Sequence, residues 1–110
     1  MADGILGQIA ADGTDQVVYA VPASKKTTCS SLVVCNRGST EQRFRVAILP
    51  SAEVAGGIQP KHYNYYDLPV EANDTFAATL GFRFAAGDKV YVRGDSANLS
   101  FSLYGIEEDA

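Results

Sequence analysis

The sequence predicts an all-β protein: a single-domain antiparallel β-sandwich of about eight or nine short strands, in a jelly-roll or immunoglobulin-like arrangement. Three observations carry this. Apolar residues recur at every second position over short runs, the period of a half-buried strand. Clusters of Gly, Pro, Asn and Asp separate the runs at intervals of about 8–12 residues. No stretch holds a helical apolar period over three turns.

The chain has 110 residues, of which 46% are hydrophobic and 20% charged. That is one domain, 1–110, by length. A domain of this size buries roughly 65% of its unfolded surface, enough for a single two-layer core.

Each element follows from its residues. Ile5–Ala10 reads as a strand or N-terminal arm within residues 1–10, closed by the turn Asp12-Gly13-Thr14. Gln16–Val21 is a strand stopped by Pro22, and Ala23–Lys26 is a polar turn. Thr28–Cys35 comes next, with Leu32 and Val34 on one face and Cys29, Ser31, Val33 and Cys35 on the other. Apolar character on both faces suits a central strand.

Asn36-Arg37-Gly38-Ser39 has hairpin-turn chemistry, because Asn and Gly accept positive φ at low cost. Gln42–Leu49 alternates cleanly, with Phe44, Val46 and Ile48 inward and Arg43, Arg45 and Ala47 outward. Pro50 ends it. The longest loop is Ser51–Pro60, in which residues 50–58 have room for a short helix that Gly56-Gly57 keeps short.

His62–Leu68 is an aromatic strand, and Pro69, lacking an amide donor, puts it at a sheet edge. Alternation sets Tyr63 and Tyr65 on one face and Tyr66 on the other. Thr75–Leu80 and Phe82–Phe84 read as one strand bent at Gly81. Lys89–Arg93 turns Val90 and Val92 inward. Asn98–Gly105 turns Leu99, Phe101 and Leu103 inward. Residues 107–110 read as an acidic tail.

The net charge is −4. A nucleic-acid binder needs a basic face to release phosphate counterions. Lys25-Lys26 and the pair Arg43 and Arg45 are the local basic clusters, and both read as wet surface, so no nucleic acid is expected as partner. No run approaches the roughly 20 apolar residues of a membrane span. Ile5–Ala10 is too short for a signal core, and Met1-Ala2-Asp3-Gly4 has no positive charge before it. Synthesis in a host cytoplasm, without a signal peptide, is the expectation.

Chemistry is sparse. Cys29 and Cys35, on one face of an intact strand, stand roughly 20 Å apart, beyond disulfide reach. With the single His62 they fall short of a zinc ligand set. No metal and no cofactor is expected. His62 lies between Lys61 and Tyr63 with no nucleophile motif around it, so no enzyme activity is expected. Arg93-Gly94-Asp95 matches an adhesion tripeptide on what reads as a hairpin tip, and Asp12–Asp15 has too few ligands for calcium. The tyrosine strand says more. A two-sheet core takes one face of a strand, so part of Tyr63, Tyr65 and Tyr66 is free for a partner.

The succession VVYAVPASKKTTCSSLVVCNRGSTEQRFRVAILP, HYNYYDLPVEANDTFAATLGFRFAAGDKVYV and NLSFSLYGIEE resembles small structural proteins of tailed bacteriophages, many from aquatic and cyanobacterial phages. The likeness runs from about Leu6 to Glu108. It implies a virion component, and within that class a decoration or cement protein on the outside of the head. The implied partners are the major capsid protein and the chain itself, as a homo-oligomer that a trimer at capsid threefold positions would satisfy. Ile5 and Leu6, on a strand added to a neighbouring sheet, and Tyr63, Tyr65 and Tyr66 are the contact residues expected on this basis. A tail, neck, baseplate or fibre-attachment part is the nearest alternative. A carbohydrate-binding adhesion module, with the tyrosines stacking on sugar rings, is the other.

Overall fold

The computed structural model describes residues 3–110. Eight strands form two four-stranded antiparallel sheets: β1 (Asp3–Ala10), β2 (Gln16–Ala20), β3 (Lys25–Asn36), β4 (Gln42–Leu49), β5 (Tyr63–Val70), β6 (Thr75–Phe84), β7 (Lys89–Gly94) and β8 (Leu99–Asp109). One sheet runs β1-β8-β3-β6 and the other β2-β7-β4-β5. First pairs with last, and the pairing continues inward: β1 with β8, β2 with β7, β3 with β6, β4 with β5. A long hairpin rolled into two sheets has this order, which makes the β-sandwich a jelly roll and excludes the immunoglobulin-like order.

The core sits between the sheets, with Phe44, Phe101, Leu32, Leu49 and Leu99 fully buried. Phe44 on β4 reaches Phe101 on β8 and Phe76 on β6, with ring centroids 6.1 and 5.3 Å apart. Aromatic pairs at such spacings add to the area they bury. The inward residues expected on β7 and β8 are all buried.

Several local expectations are corrected. β3 starts at Lys25, inside the expected turn. A register shift between Cys29 and Ser31 breaks its alternation. A bulge sets two residues against one, so Cys29 joins Leu32 and Val34 in the core while Cys35 is half-buried. The two cysteines do not share a face. Ala47, expected to be wet, is buried beside Tyr63, where the 3-10 turn Pro60–His62 meets β4.

Asn36–Ser39 is no hairpin turn, because β3 and β4 belong to different sheets. Buried Asn36 holds this crossover: its Nδ2 donates to the carbonyls of Thr40 and Val70 at 2.9 and 3.0 Å, and its Oδ1 accepts the Gly38 N–H at 2.9 Å. A Cβ on Gly38 would come within 2.7 Å of the Asn98 amide, so a side chain there would require the exposed Asn98 side chain to move. Loop 51–62 holds two 3-10 helices, Ser51–Gly56 and Pro60–His62.

β6 runs unbroken through Gly81. Residues 107–109 are not a tail: they close β8 against the start of β3, with Lys25 opposite Asp109 and Thr27 opposite Glu107. Residues 3–10 are not a free arm either. They pair with β8 in the chain's own sheet, and Leu6 and Ile9 pack against the core. Met1 and Ala2 lie outside the described residues.

Candidate functional site

β5 shapes the main surface feature. Its register with β4 shifts twice, between Phe44 and Val46 and between Val46 and Ala47. Asp67 takes a positive φ of 53°, a conformation Asp tolerates better than most residues. The extra residues overturn simple alternation. Tyr65 turns inward and packs on Phe44 and Phe76, at centroid distances of 5.9 and 5.6 Å. Tyr63 and Tyr66 meet edge to face at 4.9 Å instead.

The Arg45 guanidinium lies 4.1 Å from the Tyr66 ring centre. It also forks onto Asp67, with Nε donating to Oδ1 at 2.7 Å and Nη2 to Oδ2 at 3.3 Å. That pairing holds the Asp67 carboxyl below its usual range and raises Arg45 further. Planar pairing of this kind fixes orientation. Tyr66 is thus held in place while 58% exposed. An open groove of about 550 Å³ beside it is lined by Ile58, Gln59, Pro60, Tyr63 and Tyr66.

The expected contact residues divide into two surfaces. Ile5 is 56% exposed on β1, opposite Tyr104, whereas Leu6 is drawn partly into the core. Ile106, 45% exposed on the neighbouring strand, extends the Ile5 surface. Sequence reading missed Ile106, though carrying the β8 alternation past Leu103 places Tyr104 and Ile106 outside. β1 packs on the β2 side of the sandwich and β5 on the β3 side. The Ile5 and Tyr66 surfaces therefore lie at opposite edges. Tyr65 and Leu6 belong to the interior more than to either.

His62 is a fastener of its loop. The Gln59 N–H donates to Nδ1 at 2.9 Å, so Nε2 carries the hydrogen and donates to Glu53 Oε1 at 3.0 Å. Lys61 adds an ion pair to the same oxygen at 2.6 Å. Together these hold the Glu53 carboxyl below its usual range. Both ring nitrogens are thereby occupied.

A buried polar cluster lies at the other end of the molecule. Tyr19 donates to Glu107 Oε2 at 2.5 Å, and its hydroxyl is 2.7 Å from Thr27 Oγ1. With the phenol hydrogen on Glu107, Thr27 donates to Tyr19. Burial first, and then the Glu107 carboxylate, pushes the phenol up to about 12.

The basic clusters carry carboxylate partners: Lys25 with Asp109, Arg43 with Glu41, Arg45 with Asp67. The Arg93-Gly94-Asp95 segment is built into a crossover. Gly94 is buried near Ala11 and Leu99, and Asp95 accepts the Arg43 N–H. Asp12 accepts both the N–H and the hydroxyl of Thr14, as a turn former does. Among the described residues, no three His, Cys, Asp or Glu side chains gather as a metal site, and no helix is long and apolar enough to cross a membrane. Neither a protein-family model nor a curated protein sequence matches the chain.

Proposed function

We propose that the chain is a virion structural protein of a tailed bacteriophage, a decoration or cement protein that binds the outer surface of the head and stabilises contacts between major capsid subunits. The observation that carries this reading is the pair of exposed apolar surfaces at opposite edges of one sandwich, Ile5 with Ile106 at one and Tyr66 with Tyr63 at the other. A clamp needs two contact surfaces and no chemistry. The resemblance of the sequence to phage structural proteins supports the same reading. Each contact is small, and many copies acting together on a symmetric shell supply the strength, as multivalency allows.

Copy number tests it. Quantitative gel densitometry of purified particles should give this chain in a fixed ratio to the major capsid protein, far above the number of tail parts. A handful of copies per particle would move the chain to the tail, neck or fibre attachment.

A further inference from the structure

Residues 50–62 join β4 to β5. None of the described residues 50–61 is buried, and His62, 5% exposed, is the first buried residue after Leu49. A segment that buries so little apolar surface stays in place through its hydrogen bonds. At one end the Ser51 N–H donates to Asp88 Oδ1 at 2.9 Å. At the other end stands the His62 ring, with Gln59 N–H at its Nδ1 and Glu53 at its Nε2. Between the two ends, Gly56 and Gly57 have open space around them, and Gly57 takes a φ of 78°. Glycine moves freely among backbone conformations, which makes this pair a hinge. Just beyond it, Ile58, Gln59 and Pro60 form one wall of the tyrosine groove.

The two bonds of the His62 ring answer a proton in opposite ways. Nδ1 accepts only while it is bare. A proton there makes it a donor pointing at another donor, and the Gln59 N–H loses its acceptor. Nε2 already carries its hydrogen, and a positive ring beside the Glu53 carboxylate strengthens that contact. Protonation therefore lets go of Gln59 and tightens on Glu53. Gln59 is exposed, so its N–H can turn to water and the exchange stays local.

Histidine is the side chain whose charge ordinarily changes between about pH 5 and 8. Glu53 stays ionised through that window, because Lys61 and His62 hold its carboxyl below the usual range. Lys61, on the ring's own turn, is ion-paired to the same Glu53 oxygen. Arg83 on β6 and Asp88 beyond it line the cleft that His62 shares, and Asp88 commits its carboxylate to the Ser51 and Ala85 N–H groups. From β4 and β5 the same cleft takes Ile48 and Asn64, which do not titrate.

We propose that His62 is a proton-operated latch: the neutral ring holds residues 57–60 as a wall of the tyrosine groove, and the protonated ring releases them. Tyr66 stays where Arg45 and Asp67 hold it, so acid changes the groove from one side only. The latch belongs to the chain by itself and does not depend on the virion reading.

Nuclear magnetic resonance of the isotope-labelled full chain, followed from about pH 8 down to about pH 5, tests it. The Gln59 amide proton should move upfield as the His62 ring protons titrate, with one shared midpoint. The heteronuclear Overhauser effects of Ile58 and Gln59 should fall across the same step, while the amides of Val34 and Phe101 in the core hold still. His62→Asn puts an oxygen acceptor near the Nδ1 position on a side chain that does not titrate, and should keep the Gln59 amide downfield throughout. The wild-type midpoints decide the matter even without the variant. A Gln59 resonance indifferent to the His62 titration overturns the inference, as does a ring that stays neutral over the whole range. So do core amides that shift together with Gln59, or a Gln59 resonance that still moves in folded His62→Asn.

Discussion

Glu107 shows how a single side chain can be misjudged from its neighbours. In Glu107-Glu108-Asp109 it sits among charges at a chain end, and charged residues are rarely buried unless paired. Its partner, Tyr19, is 88 positions away, a separation no local pattern reveals. Tyr19→Phe keeps the ring and removes the donor, leaving a buried carboxylate short of one bond. The expected loss is about 1–3 kcal/mol, read from urea unfolding. The phenol also sets an alkaline limit. Its folded value of about 12 exceeds the ordinary 10.0, so between those values the folded state holds the proton and the unfolded state releases it. Stability from this group is complete below about pH 10 and falls as pH rises toward about 12. Absorbance titration of the wild type should show one late-ionising phenol that disappears in Tyr19→Phe. A titration unchanged by the substitution would place Tyr19 in water.

Elements were legible wherever period-two alternation ran undisturbed. β7 and most of β8 bury the residues the pattern picks out, and Pro69 marks β5 as an edge. Bulges were not legible. The extra residue at Ser30 or Asp67 is decided by the strand across the sheet, and each shift turns the remainder of its strand to the other face. That is why Cys29 left the expected face and Tyr65 left the surface. The candidate site was therefore half-read: Tyr66 and Ile5 are exposed, Tyr65 and Leu6 are drawn inward, and Ile106 went unseen. Strand ends carry a test of their own. Deleting residues 107–110 removes the β8 end opposite Lys25, Lys26 and Thr27 and uncovers the Tyr19 cluster. The melting temperature should fall by several degrees, whereas loss of a solvated tail would leave it unchanged. Likewise Arg45→Ala should free the Tyr66 ring from its guanidinium and from the Asp67 fork. Tyr66 ring protons should then lose their upfield or downfield offsets in NMR spectra while the core aromatic shifts hold.

At the scale of the molecule, the sequence pattern reached the sandwich and stopped short of the strand order. Turns that cross between sheets use the same Asn and Gly as hairpins, as Asn36-Arg37-Gly38 shows, so composition does not separate the two. The jelly-roll order has a physical consequence: β1 pairs with β8, a contact of high sequence separation that carries a high loop-closure cost. Phe44 couples the layers by touching Phe76, Tyr65 and Phe101. Phe44→Ala should cost about 3–5 kcal/mol, a large share of the roughly 5–15 kcal/mol a domain has, and calorimetry should find both sheets lost in one transition. A sandwich of 43 × 30 × 19 Å with apolar surfaces at opposite edges suits a clamp on a shell. Immunogold electron microscopy of intact particles, with antibody against this chain, tests that role most directly. Gold spread evenly over the heads is the expected result, and gold confined to tails, necks or fibres, or absent from particles altogether, would contradict it.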